Sequence, residues 1–148
     1  MLAGVLALVV LGITPSAGVK VTGVPRCSTR NLRLSLSNQG AGQGTVIGLS
    51  VSARHTRRCR LNATLRLKIG TGGRRSILRI RGNPVRATLR GRVRRGHAIK
   101  RAWTWRNWCG ERRRARVVAK VGRAAASLQV TTPACVESSS PSTLRREQ

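Results

Sequence analysis

The side chains best suited to chemistry are few: Cys27, Cys59, Cys109 and Cys135, the histidines His55 and His97, and the carboxylates Glu111, Glu137 and Glu147. Thiolates with imidazoles could hold zinc, but structural zinc sites need cysteines in close pairs, two to four residues apart. The nearest two cysteines here are Cys109 and Cys135, so no metal site is expected. Acid–base work with paired carboxylates needs two acids brought together. The three glutamates are scattered and the chain has no aspartate, which also removes the Ser-His-Asp arrangement. An enzyme would require a pocket placing Glu111 beside His97. No catalytic residue and no cofactor is expected.

Cysteines spaced this widely fit better as disulfides, and the N-terminus says where they would form. Leu2 to Ile13 is apolar and uncharged, and Thr14-Pro15-Ser16-Ala17-Gly18 follows. An apolar run of about a dozen is too short for the ~20 residues that span a bilayer and suits the hydrophobic region of a signal peptide. No basic residue precedes the run. Residues 1–18 are therefore assigned to a signal peptide with a truncated basic region, and the mature chain to the outside of the cell or its envelope. Oxidised pairs are expected there. Three pairings are formally open. Cys27–Cys59 with Cys109–Cys135 is favoured, because each bridge then closes one local stretch of similar length. In the chain-entropy account each such loop contributes about 3–4 kcal/mol.

The stability is needed, because 30 basic residues face 3 acidic ones and the formal charge is +27. So few anions cannot neutralise that surface, and self-repulsion opposes folding. Three contiguous clusters stand out: Arg54, Arg57, Arg58 and Arg60 with His55; Arg90, Arg92, Arg94 and Arg95; and Arg112, Arg113, Arg114 and Arg116. They fall in predicted connections. Arg54, Arg57, Arg58, Arg60, Arg112, Arg113, Arg114 and Arg116 are the candidate anion contacts, and binding through them would be electrostatic and salt-sensitive. A compositional reading competes. Only Lys20, Lys68, Lys100 and Lys120 are lysine, and the bias toward arginine, alanine, glycine and valine would also follow from base composition.

The elements that must carry these residues read as strands. Leu32, Leu34 and Leu36 alternate with Arg33, Ser35 and Ser37; Val46, Ile47, Leu49 and Val51 form a second run. Leu65, Leu67 and Ile69 alternate with Arg66 and Lys68. Further runs cover Ile77 to Ile80, Val85 to Leu89, Ala102 to Trp108, Val117 to Val121 and Leu128 to Val130. A two-residue period with one basic side is the pattern of half-buried strands. The expected fold is all-β: an immunoglobulin-like antiparallel β-sandwich of about seven or eight strands with two disulfides, over residues 19–136. Residues 137–148 read as a disordered tail.

All the aromatics are tryptophans within Trp103-Thr104-Trp105-Arg106-Asn107-Trp108. On a strand Trp103 and Trp105 share one side, expected to fill the core, and Trp108 takes the other. Gly40, Gly42 and Gly44 read as a strand connection, because phosphate cradling by glycines needs a following helix and none is predicted.

Cys27-Ser28-Thr29-Arg30-Asn31-Leu32, Gly40-Ala41-Gly42-Gln43-Gly44 and Cys59-Arg60-Leu61, then Trp105-Arg106-Asn107-Trp108-Cys109-Gly110, Pro133-Ala134-Cys135 and Pro141-Ser142-Thr143-Leu144, together frame residues 27–144. In this the sequence resembles secreted actinobacterial domains of unknown function. It departs from them at Ala63-Thr64, where Gly-Tyr-Pro often stands, in lacking a lipoprotein processing site, and in its charge. The resemblance implies an immunoglobulin-like envelope module with structural cysteines and carries no functional residue. The resulting expectation is a monomeric secreted or cell-envelope binding or structural module. Its partners would be anionic envelope polymers or a lipid surface, with nucleic acid bound without specificity. The alternative is a secreted polyanion-binding effector.

Overall fold

A computed structural model describes residues 18, 23–41, 43–71 and 77–148. The signal-peptide assignment over 1–18 therefore lies almost wholly outside the described residues. Eight strands follow in chain order: β1 (Leu32–Ala41), β2 (Gly44–Ala53), β3 (Cys59–Gly70), β4 (Val85–Val93), β5 (Ile99–Arg106), β6 (Arg114–Val121), β7 (Ala124–Thr131) and β8 (Thr143–Arg146). They form two four-stranded antiparallel sheets, ordered β1-β2-β5-β8 and β4-β3-β6-β7. The immunoglobulin-like order is present: β1, β2 and β5 occupy the A, B and E places, β3, β6 and β7 the C, F and G places, and β4 flanks the C strand.

The alternation in the sequence builds this core directly. Leu61, Leu65, Leu67 and Ile69 of β3 point inward, as do Val117, Ala119 and Val121 of β6. From the opposite sheet come Ile47, Leu49 and Val51 with Trp103 and Trp105. The two tryptophans share the inner side of β5, as the two-residue period requires. Buried aliphatic side chains of this kind each contribute roughly 1.5–3 kcal/mol, against which the charge must work.

Both disulfides join the favoured partners, Cys27 with Cys59 and Cys109 with Cys135, spanning 32 and 26 residues. Neither crosses between the sheets in the core. Each instead ties an irregular segment to the frame: residues 23–27 to the start of β3, and the segment after β7 to the segment after β5.

Three expectations are corrected. The run Ile77–Ile80 is no strand, only a bridge from Ile77 to Gly70 followed by a crossing in which Leu78 and Ile80 are buried. Asn83 fastens it: its side chain accepts from the Ile69 amide and donates to the Ile69 and Leu78 carbonyls, each at 2.9 Å. The eighth strand comes from the segment expected to be a disordered tail. Thr143–Arg146 pairs with β5, and Leu144, 5 % exposed, stands opposite Trp105. The sandwich therefore extends past residue 136 to Arg146. Trp108, finally, does not take the opposite side of a continued strand. β5 ends at Arg106, and Asn107 has a left-handed backbone (φ 58°) that swings Trp108 back to meet Trp105 edge-on, with ring centroids 5.7 Å apart.

Candidate polyanion-binding face

Strand alternation determines where the cations go. With the odd-numbered residues of β3 inside, Arg60, Arg66 and Lys68 are exposed on its outer side. The same logic places Arg86, Arg90 and Arg92 outward on β4, and Arg114, Arg116 and Lys120 outward on β6. Three strands thus contribute three cations each to one side of one sheet. Several stand directly opposite one another: Arg60 faces Arg92, and Arg66 faces both Arg86 and Lys120. Strand geometry spaces such a lattice at about 4.8 Å across and about 6.7 Å along the strands.

Among the described residues the one ion pair is Arg113 with Glu111, at 3.2 Å and off this face. No carboxylate reaches the nine outward cations. Two unit charges 5 Å apart in a water-like dielectric repel by roughly 0.8 kcal/mol, less in salt. The face is therefore held against a modest but repeated penalty. The arginine stems can lie along the sheet while the guanidiniums stay wet.

The outer side of the other sheet is different. It presents Ser35, Ser37, Gly48, Ser50, Ser52 and Ala102, with Arg33, Lys100, Arg106 and Arg145 spread among them. It also carries an acid. The Glu147 amide donates to the Ala102 carbonyl at 2.9 Å, and the Thr104 hydroxyl donates to the Glu147 carboxylate. The charge asymmetry between the two outer sides is a property of the fold that the contiguous clusters do not reveal.

The sequence-predicted contacts divide accordingly. Arg60, Arg114 and Arg116 belong to the cationic face. Arg54, Arg57 and Arg58 lie in the β2–β3 connection, where the Arg95 guanidinium donates to the Arg54 carbonyl at 3.0 Å. The first two clusters therefore meet at one end of the sandwich. Arg112 and Arg113 occupy the β5–β6 connection at the other end, and Arg113 is engaged with Glu111. Arg66, Lys68, Arg86 and Lys120 lie outside the contiguous clusters, and the three strands that carry them bring them together only through pairing. Glu111 and His97 lie beyond opposite ends of β5 and are not brought together.

Asn107, 9 % exposed, is also unanticipated. Its side-chain oxygen accepts from the Val136 and Glu137 amides at 2.8 and 3.0 Å. Its side-chain nitrogen donates to the Glu137 and Ser140 carbonyls at 2.9 and 2.7 Å. The Asn-Trp-Cys sequence is thus a fastening: the asparagine holds residues 136–140, and Cys109, two residues on, bonds Cys135. Glu137 in turn accepts from the Ser140 and Ser139 hydroxyls, which hold its carboxyl below the usual carboxylate range.

Comparison of the chain with protein-family models, with curated proteins and with solved structures gives no match.

Proposed function

We propose that this chain is an extracytoplasmic binding module of the cell envelope that lays the outer side of its β4-β3-β6-β7 sheet on an anionic polymer. The observation that carries this reading is the set of nine outward cations, three on each of β3, β4 and β6, with no carboxylate among them. Two disulfides support an oxidising setting. No helix among the described residues is long and apolar enough to cross a membrane.

The class of polyanion follows from what the face lacks. Readers of single-stranded nucleic acid stack bases on aromatic side chains. Here Trp103 and Trp105 are in the core and Trp108 packs against Trp105, leaving none for the cationic face. Binding to a lipid surface would be helped by a cluster of exposed apolar side chains. The described residues expose two large ones, Ile77 and Val136. A flat lattice of arginines without stacking or insertion suits a flexible chain of phosphate or carboxylate groups, gripped by charge and by forked hydrogen bonds.

The test is retention on an immobilised polyol-phosphate polymer. A variant with Arg66, Arg86, Arg90 and Lys120 replaced by Gln should elute at much lower salt. A charge-matched variant of the other face, with Arg33, Lys100, Arg106 and Arg145 replaced, should elute near the parent protein. Equal losses from the two variants would mean that net charge alone does the binding, and would end the proposal.

A further inference from the structure

We infer that Arg26, Arg60 and Arg92, with Arg90 beside them, form a discrete site for closely spaced phosphoryl groups, held in shape by the Cys27–Cys59 disulfide. This deepens the reading of a polyanion-binding face and rests on it. The segment before β1 returns to lie parallel to the start of β3. The Arg60 amide donates to the Pro25 carbonyl at 2.8 Å, and the Cys27 amide donates to the Arg60 carbonyl at 3.0 Å. That bridge pairs Arg26 with Arg60, while β4 pairs Arg92 with Arg60 from the other side.

Bridged residues point to the same side of a sheet, so three adjacent backbone segments present an arginine at one level, about 4.8 Å apart. Arg90 follows two residues along β4, opposite Asn62. These side chains surround a recess of about 640 Å³.

Two features separate this corner from the rest of the face. Its three cations abreast are all arginines, whereas the other such row, Arg86, Arg66 and Lys120, ends in a lysine. It is also covalently closed: the disulfide joins the residue after Arg26 to the residue before Arg60, with Cα atoms 4.9 Å apart. Three guanidiniums in a row repel, and residues 23–27 make no other strand pairing. The disulfide supplies the tie that keeps Arg26 abreast of Arg60. The row extends over roughly 10 Å, two strand spacings, too long for one small anion to bridge. Guanidinium forks match phosphate oxygens two at a time, so the row suits two or three successive phosphoryl groups, whether in an oligophosphate or in a phosphodiester chain.

Titration with inorganic tripolyphosphate at low salt tests the site, with polyglutamate as a carboxylate control and a glycerol-phosphate oligomer as the diester arm. Replacing Arg26, Arg60 and Arg92 by Gln should weaken tripolyphosphate binding by about 30-fold or more. Replacing Lys68, Arg114 and Arg116 should weaken it by about threefold at most, since charge-assisted contacts act at short range. R26Q alone should account for about tenfold, and reducing the disulfide should give a similar loss while the circular-dichroism spectrum of the sandwich persists. Should the reduced protein unfold, R26Q and the paired triple variants still decide the matter. Equal losses from the two triples, or polyglutamate bound as tightly as tripolyphosphate, would overturn the site while leaving the broader face standing. Tripolyphosphate failing where the glycerol-phosphate oligomer binds would confine the site to diester chains. No binding of any of the three at low salt would remove both readings.

Discussion

Arg66 and Arg86 stand directly opposite each other on β3 and β4, with no carboxylate in reach of either. Like charges in facing positions destabilise a sheet. A chain selected for stability alone would place a glutamate in one of the two. Replacing Arg86 by Glu should therefore raise stability to urea unfolding by about 0.5–1 kcal/mol, at an unchanged m value. The same substitution should weaken binding to an anionic polymer severalfold. A variant that is more stable and yet binds less well would show that these charges serve something other than the fold. Lower stability would mean that the Arg86 stem packs more usefully than its charge repels.

Asn107 makes a different kind of prediction. It satisfies four backbone groups from residues 136–140 and sits at a positive φ. N107A strips those partners from a buried site and strains the backbone, so a loss of about 2–4 kcal/mol is expected. N107G removes the same hydrogen bonds but relieves the backbone, and should recover about 1 kcal/mol of that loss. Thermal unfolding of the two variants, side by side, separates the contributions. Equal destabilisation would mean that φ at this position is not strained.

β8 can be tested by removing one side chain. Leu144 is buried against the inner end of β5, and the Trp105 indole nitrogen donates to the Ser142 hydroxyl at 2.8 Å. L144A should cost about 2–4 kcal/mol and should increase the solvent quenching of tryptophan fluorescence. A mobile terminal segment would show neither effect.

Glu137 provides a pH dependence of known sign. Its carboxyl is held below an ordinary value near 4.5 by the Ser140 and Ser139 hydroxyls. The stabilisation from these bonds is therefore fully present above the ordinary value and disappears as pH falls through the lowered one. Protection factors of the Ser139 and Ser140 amides, corrected for the intrinsic slowing of exchange in acid, should fall as the solution is acidified through the lowered titration of Glu137, and E137Q should remove that fall. An unchanged acid limb in E137Q would place the titration elsewhere.

The fold was legible where the physics is local and periodic. The Leu65-Arg66-Leu67-Lys68-Ile69 run could hardly be anything but a strand with one wet side, and it became the centre of a sheet. β8 was not legible, because a single leucine between a threonine and two arginines shows no alternation; its pairing is decided by the vacant edge of β5 and by the site for Leu144 over Trp105. Ile77 to Ile80 misled for the converse reason. Its apolar residues resemble a short strand, but pairing stops at the Leu78 amide bond to the Ile69 carbonyl, because Asn83 takes the Ile69 amide and the Leu78 carbonyl. The binding face was half legible. Contiguous clusters drew the eye to the connections, whereas Arg66, Arg86 and Lys120 come from three strands and become neighbours only through register. The outward parity of each was already present in the alternation around it.

Protection of arginines from phenylglyoxal, mapped by mass spectrometry with and without a polyol-phosphate polymer, reads out which side of the sandwich the polymer covers. Arg66, Arg86, Arg90 and Arg116 should be protected, and Arg60 and Arg92 most strongly, while Arg33, Arg106 and Arg145 react as before. Protection spread evenly over both sheets, or found first at Arg57, Arg58 and Arg112 in the connections, would mean that the outer side of the β4-β3-β6-β7 sheet is not the binding surface.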